Sequence, residues 1–181
     1  MFLWSQLTSD DANPPQQQHQ PTYKKAKPVK KPVSASPFYS LAQVYAPHAV
    51  ELNESILQRK GRRTLIFCVR NAPEFCGPLE QWVLMEKIAI EFANDPLNIT
   101  WCDVESANMK NQWHAFFDQQ GQPQDRCFVV SVVNQSKCAT FTANSSLSYN
   151  ELQSWVSKLV GGEIEQRYLA MDIPILPPNY V

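Results

Sequence analysis

The sequence feature that most constrains the fold is a continuous apolar run at residues 64–70, which leads through a short turn into a long amphipathic stretch. The run reads TLIFCVR, and its unbroken β-branched and aromatic character predicts a strand buried on both faces of a sheet. The stretch LEQWVLMEKIAIEFAN at residues 79–94 keeps its apolar residues at helical spacing. Pro78 suits the first position of that helix, and Glu80 suits the positive end of its dipole. Residues 64–94 therefore predict a buried strand followed by a covering helix.

Further strands and helices alternate along the chain. HAVELN and NITWCDV predict strands, whereas residues 54–59 and the segment SANMKNQWHAFFDQQ predict helices, the second with Ser106 as its N-cap. RCFVVSVV and KCATFT flank an Asn-Gln turn at residues 134–135 and predict an antiparallel hairpin. SYNELQSWVSKLVGG begins with a capping box at Ser148 and ends at two glycines, so it predicts the last helix. The order β-α-β-α-β-α-β-β-α predicts an α/β domain at residues 43–165, with a central mixed sheet flanked by helices.

The two ends of the chain differ in composition from this domain. Residues 1–42 are rich in Pro, Gln and Lys and have little to bury, so they predict a disordered linker. The linker carries a basic cluster, which fits either a solvated spacer or a segment close to an anionic membrane. The cluster consists of Lys24, Lys25, Lys27, Lys30 and Lys31. Residues 166–181 contain closely spaced prolines and predict an extended tail.

Charge and motif content exclude several classes of function. A formal net charge of −1 gives no general attraction to nucleic acid, and no glycine-rich phosphate loop supports a nucleotide cofactor. The sequence contains no run of about 18 apolar residues, so it predicts no membrane-spanning helix. The three histidines, His19, His48 and His114, lie in unrelated segments and predict no metal site. We therefore expect no cofactor, no metal and no nucleic acid, and we expect a protein as the partner.

The cysteine pattern predicts buried thiols rather than a disulfide framework. The five cysteines show no Cys-x-x-Cys spacing, and three of them lie inside apolar, strand-like runs. The five are Cys68, Cys76, Cys102, Cys127 and Cys138, and those in the strand-like runs are Cys68, Cys102 and Cys127. Four Asn-x-Ser/Thr sequons favour a secretory route, and they begin at Asn53, Asn98, Asn134 and Asn144. The expected location is the endoplasmic reticulum, in the lumen or at the membrane, with the cytoplasmic face as the alternative.

The element order and the Cys-Gly-Pro turn after the second strand resemble a thioredoxin-like domain of the protein disulfide isomerase superfamily. The resemblance extends from Ala49 to Pro178. The closing segment ELQSWVSKLVGGEIEQRYLAMDIP is similar to the last helix and exit of such domains, including those of DnaJ-type co-chaperones. The resemblance implies a thioredoxin-like fold and a site at residues 76–79, where active family members carry Cys-x-x-Cys. This chain reads Cys-Gly-Pro-Leu there, so a leucine replaces the resolving cysteine.

The missing second thiol argues against dithiol exchange. A mixed disulfide on Cys76 is released by a second thiol, and the remaining candidate, Cys68, lies eight positions back inside a strand. A helix N-terminus and the charge of Arg70 are both expected to favour the Cys76 thiolate. A monothiol oxidoreductase is therefore the alternative, with Cys76 as its catalytic residue. We predict a redox-inactive module.

The same loop is the predicted binding surface, because α/β folds bind ligands at the carboxyl ends of their strands. The predicted binding residues are Phe75, Cys76, Gly77, Pro78, Leu79 and Trp113. Trp113 belongs to the aromatic segment WHAFF, which predicts either core packing or an exposed patch that captures a partner. The predicted function is the binding of a partner or client polypeptide in a protein-folding or chaperone context. The alternatives are the monothiol oxidoreductase and a structural subunit of a larger assembly.

Overall fold

The structure, a computed structural model, describes residues 36–175. The predicted linker with its lysine cluster lies almost entirely outside these residues, as does the end of the predicted tail. The helices are α1 (Tyr39–Tyr45), α2 (Glu54–Leu57), α3 (Pro78–Glu91), α4 (Lys110–Gln119) and α5 (Tyr149–Val160). The strands are β1 (Val50–Glu51), β2 (Arg63–Val69), β3 (Leu97–Asp103), β4 (Cys127–Val133), β5 (Lys137–Thr142) and β6 (Arg167–Tyr168). Within this part of the chain, no helix combines the length and the apolarity that crossing a bilayer requires.

The six strands form one mixed sheet with the order β1-β3-β2-β4-β5-β6. β1, β3 and β2 run parallel, while β4, β5 and β6 extend the sheet in antiparallel pairs. Helices connect the parallel strands, which is the kind of connection that parallel pairing requires. The predicted class, α/β with a central mixed sheet flanked by helices, is confirmed.

β2 lies inside the sheet and is buried on both faces, as its composition predicts. Its alternate residues belong to two separate cores. Leu65 and Phe67 pack with α1, α3 and α5 in what we call the α3-side core, whereas Ile66 and Cys68 pack with α4 in the α4-side core. Every second residue of segment 169–175 also packs against the α4-side core. The predicted tail therefore begins with a short strand and helps to cover that core.

The ends of several elements agree with the sequence prediction. α3 begins at Pro78, and the hydroxyl group of Ser148 accepts a hydrogen bond from the Glu151 N–H at 3.3 Å, at the start of α5. Asn134 and Gln135 adopt positive φ angles of 50° and 54° at the two central positions of the turn that the Ser136 N–H closes onto the Val133 carbonyl oxygen, and positive φ at both positions is what a type I′ turn requires. These ends depend on neighbouring residues alone, which is why local patterns predict them.

Two features differ from the sequence prediction. α4 begins at Lys110, with Met109 as its N-cap residue, and the predicted cap at Ser106 is wrong. Met109 is buried in the α4-side core, and its N–H donates to the Ser106 carbonyl oxygen at 2.9 Å in a turn that precedes the helix. The predicted linker boundary falls at Ala42, inside α1, where the side chain is buried in the α3-side core.

Candidate functional site

The predicted site is the loop of residues 71–77, which connects the carboxyl end of β2 to the start of α3. Because β2 lies between β3 and β4, this loop lies at the middle of the sheet edge. The connection that follows β3 meets it there, since the Asn71 N–H donates to Glu105 Oε2 at 3.0 Å. Ligands of open α/β sheets bind at this edge.

One buried side chain, that of Gln81, joins α3 to the end of β2. Gln81 Oε1 accepts the Arg70 N–H at 3.3 Å, and Gln81 Nε2 donates to the Arg70 carbonyl oxygen at 2.7 Å. The side-chain amide of Gln81 therefore makes with the main chain of Arg70 the two hydrogen bonds that a residue of a neighbouring strand would make. Both residues are buried, so the loss of either bond would leave a polar main-chain group without a partner. These two bonds fix the first turn of α3 against the sheet.

Main-chain hydrogen bonds hold the loop itself. Ala72 and Cys76 form an isolated antiparallel bridge, in which the Cys76 N–H donates to the Ala72 carbonyl oxygen at 2.9 Å. The carbonyl oxygen of Phe75 accepts the Leu147 N–H, from the connection before α5, at 2.8 Å. The Phe75 ring meets the Phe128 ring edge-on, with the centroids 6.4 Å apart. The loop is therefore attached to its neighbours and forms a preorganised surface.

The thiol of Cys76 lies in surroundings that keep it protonated. Its side chain is 3% exposed and belongs to the α3-side core. Burial, the charge of Glu80 and a hydrogen bond from the thiol to the Glu80 carboxylate raise the pKa of Cys76 from 9.0 to about 12. The same carboxylate accepts the Gly77 N–H at 3.0 Å, so it occupies the helix N-terminus that would otherwise stabilise a thiolate. The expectation of a favoured Cys76 thiolate is wrong.

Arg70 does not act on Cys76 either. Its guanidinium carbon lies over the rings of Phe117 and Phe128, 5.3 and 5.7 Å from their centroids. One guanidinium nitrogen donates to the Cys127 carbonyl oxygen at 2.8 Å. Phe117 belongs to the α4-side core and Phe128 to the α3-side core, where the Phe128 ring also contacts Phe75 of the loop. None of the interactions described for the guanidinium group involves Cys76, and the charge of Arg70 is not among the causes of the shift in the pKa of Cys76.

Cys68, the other candidate thiol, lies on the opposite face of the sheet from Cys76. Cys68 belongs to the α4-side core and Cys76 to the α3-side core. Burial raises the pKa of Cys68 to about 12, although the nearby charge of Arg70 acts in the other direction. All five cysteines are free and buried. A disulfide between Cys68 and Cys76 would require the backbone to move until the two sulfurs meet.

The loop leaves apolar side chains exposed beside the buried thiol. Leu79 is 48% exposed, and Val83, one turn further along α3, is also exposed. Phe75 and Gly77 are half-buried. The predicted residues 75–79 are thus brought together at one edge of the sheet, with Leu79 as an accessible apolar side chain.

Trp113 does not belong to this surface. Its side chain is 0% exposed and lies in the α4-side core. Its ring packs against the rings of Phe116 and Phe117, with the centroids 5.5 and 5.6 Å apart. The core-packing interpretation of WHAFF agrees with this burial. The inclusion of Trp113 among the binding residues needs correction, because a ring buried in this way has no surface with which to contact a partner.

The two histidines within residues 36–175, His48 and His114, do not converge with other ligands. His48 Nδ1 lies within hydrogen-bonding distance of Glu86 Oε1, at 2.5 Å, between the α1–β1 connection and α3, whereas His114 lies in α4, and His19 lies outside residues 36–175. Across those residues, no group of three or more His, Cys, Asp or Glu side chains is arranged to hold a metal ion.

Sequence reasoning overlooked Gln81, although the pattern contains a signal for it. Gln81, Met85 and Ile88 follow the i, i+4, i+7 spacing of one helical face, and all three are buried. A glutamine on such a face needs hydrogen-bond partners in the interior. The pattern therefore predicts a polar contact between α3 and the sheet.

Comparison with known proteins identifies no family for this chain. No protein-family model matches it, and no curated protein is significantly similar to it in sequence. Family and function are therefore proposals that depend on the residues and their geometry.

Proposed function

We propose that residues 43–165 form a redox-inactive thioredoxin-like domain that binds a partner or client polypeptide through its loop at residues 71–79. The observation that carries the proposal is the state of Cys76. It stands where the family resemblance puts an active-site thiol, yet it is buried, its pKa is raised to about 12, and Leu79 follows it in place of a resolving cysteine. A loop built in this way is suited to holding a polypeptide, not to exchanging disulfides.

The order of the elements supports the thioredoxin-like assignment. From β1 to α5 the chain follows the succession β-α-β-α-β-α-β-β-α, on which the resemblance depends. Parallel strands come first, and the hairpin of β4 and β5 closes the succession in antiparallel pairing. The Cys-Gly-Pro turn follows β2 and opens α3, at the place where a thioredoxin-like domain carries its active site. α1 and β6 are additions to this succession.

The attachment of the loop supports binding. Because hydrogen bonds to Glu105 and Leu147 already order the loop, a partner would not have to supply the free energy for ordering it. The exposed side chains of Leu79 and Val83 provide apolar area next to the loop, and burying such area is the main source of affinity in polypeptide binding.

The proposed setting is protein folding in the endoplasmic reticulum, as a module of the kind found in disulfide isomerases and DnaJ-type co-chaperones. Asn53, Asn134 and Asn144 are exposed and therefore accessible to glycosylation on a secretory route. Asn98 is not, since it is buried in β3 and its Nδ2 donates to Thr64 Oγ1 at 3.3 Å. Membrane proximity through the lysine cluster concerns residues outside the described part of the chain.

Binding of an unfolded polypeptide tests the proposal. Reduced, carboxymethylated α-lactalbumin is a suitable probe, because it stays unfolded and has no thiol that could form a mixed disulfide. We expect its addition to shift the backbone amide resonances of residues 71–79, except for Pro73 and Pro78, which have no N–H, in the full chain. Leu79→Asp should weaken binding about tenfold or more, since burying a leucine is worth roughly 1.5–3 kcal/mol. Ile90→Asp is the matched control, because Ile90 is exposed near the other end of α3.

Equal weakening by Leu79→Asp and Ile90→Asp would remove the loop from the proposal. A second assay addresses the monothiol alternative by measuring glutathione-dependent reduction of insulin. Turnover that disappears in a Cys76→Ser variant would favour the enzyme over the binding module.

A further inference from the structure

We infer a second polypeptide-binding site, a polar gap at the sheet edge where the chain before β6 separates from β5. The β5–β6 ladder contains two residue pairs, Lys137 with Tyr168 and Cys138 with Arg167. Beyond these pairs, a gap of about 270 Å³ lies between β5 and the segment that leads into β6. The gap shares no residue with the loop at residues 71–79, so the inference does not depend on the function proposed for that loop.

The edge of β5 presents main-chain groups to this gap in strand geometry. The Ser136 carbonyl oxygen accepts the Leu169 N–H at 2.9 Å, so every second residue from Ser136 onward directs its main-chain groups toward this edge. Cys138 and Thr140 are the members of that series that line the gap, and Cys138 is already paired with Arg167. Within residues 36–175, no main-chain hydrogen bond joins Thr140 to residues 163–166. An open stretch of strand edge is a template for pairing with another extended chain.

A buried amide group at the end of α4 lines the gap as well. Gln120 is 9% exposed, and its Oε1 accepts a hydrogen bond from the Cys138 thiol at 3.4 Å. Its Nε2 is buried and has no hydrogen-bond partner among the described residues. Buried donors in folded proteins are almost always paired. The carbonyl oxygen of a bound polypeptide would supply the missing acceptor.

The lining and the charges of the gap indicate which kind of ligand it takes. Most small-molecule sites are lined mainly by apolar side chains. Here the lining includes the polar side chains of Gln120, Gln122 and Thr140, and both Glu165 and Arg167 contribute to it. A polar lining with charges of both signs beside an open strand edge fits an extended polypeptide that directs a polar side chain or a carbonyl group toward Gln120.

A peptide library tests this inference with the full 181-residue chain. The probe is a positional-scanning library of fluorescent nonapeptides, acetylated and amidated at their ends, with binding measured by anisotropy. We expect Asn or Gln to be preferred at one central position. N-methylation of the best peptide should weaken binding about tenfold or more at the position whose N–H pairs with Thr140 and not at the two adjacent positions, because neighbouring N–H groups of a strand point to opposite edges. Gln120→Met should weaken binding about tenfold, the effect of losing one buried hydrogen bond.

The controls separate this site from the loop. Gln119→Met changes an exposed neighbour of Gln120 and should leave the affinity unchanged, as should Leu79→Asp. An N-methyl scan in which no single position differs from its neighbours, or no binding by any library pool, overturns the inference, and the scan remains informative if Gln120→Met fails to fold. Weakening by Leu79→Asp but not by Gln120→Met would assign the peptide to the loop, which overturns this site and leaves the proposed function intact.

Discussion

The reactivity of Cys76 toward a disulfide is the most direct measure of whether the loop is a redox site. The reagent is 5,5′-dithiobis(2-nitrobenzoic acid), which a thiolate attacks with release of a coloured anion. The contribution of Cys76 is the difference between the progress curves of the native chain and of a Cys76→Ala variant. Repeating both measurements in denaturant gives the rate for Cys76 in the unfolded chain.

The raised pKa sets the expected magnitude. An increase from 9.0 to about 12 lowers the thiolate fraction at pH 7.5 by roughly 10³. A thiolate of higher pKa is intrinsically more nucleophilic, and a Brønsted coefficient of about 0.5 returns a factor of roughly 30. The net expectation is a rate about 30-fold slower than that of an unperturbed thiol. Burial slows the reaction further, because a side chain that is 3% exposed must first become accessible to the reagent.

Two variants test the cause of the slow rate. Glu80→Gln removes the carboxylate charge that acts on the thiol and should speed the reaction of Cys76, although burial remains. Glu74→Gln changes an exposed carboxylate of the same loop and should leave the rate as it is. A native rate equal to that in denaturant, or a Glu80→Gln variant no faster than the Glu74→Gln control, would refute the reasoning.

Three further predictions concern stability. Gln81→Leu leaves two buried main-chain groups at the end of β2 without partners and should lower the free energy of unfolding by about 2–4 kcal/mol in urea titrations. The control variant Gln112→Leu, at an exposed position, should change the free energy of unfolding by less than about 0.5 kcal/mol. Equal effects of the two substitutions would contradict the role of Gln81. Trp113→Ala should cost about 3–5 kcal/mol, and a loss of client binding at unchanged stability would contradict its place in the core. Burial raises the pKa of Asp103 above 3.8, partly offset by hydrogen bonds to the carboxylate, so the native state holds this proton more tightly than the unfolded state does. The stability of the native chain relative to Asp103→Asn should therefore fall as pH rises from 3.8 through the raised native pKa and then level off; a relative stability that rises over that window would show the opposite shift.

Local patterns predict most of the elements because the forces behind them are local. The apolar run of β2, the proline at the start of α3 and the turn at residues 134–135 each depend on a few adjacent residues. α1 and β6 escaped prediction because neither has such a pattern. α1 is held by burying Ala42 in the α3-side core, and β6 consists of two residues paired to a distant strand.

The features of the candidate site likewise fall into those that the sequence predicts and those that depend on the folded structure. Leu79 at the place of a resolving cysteine is visible in the sequence, and so is the absence of Cys-x-x-Cys spacing. The direction of the Cys76 pKa shift is not, because it depends on burial and on which carboxylate reaches the thiol. Arg70 illustrates the limit: it is only six positions from Cys76 in sequence, yet its guanidinium group packs against Phe117 and Phe128 and is not among the causes of the shift in the Cys76 pKa.

By itself, the sequence determined the succession of strands and helices and the presence of a single thiol at the turn into α3, since spacing, capping and residue identity are properties of neighbours along the chain. Tertiary structure alone decided that Cys68 and Cys76 lie on opposite faces of the sheet, that Trp113 is core, and that an edge of β5 remains open beside Gln120. The physical reason is that burial, strand pairing and the electric field at a thiol are set by residues that come together only when the chain folds.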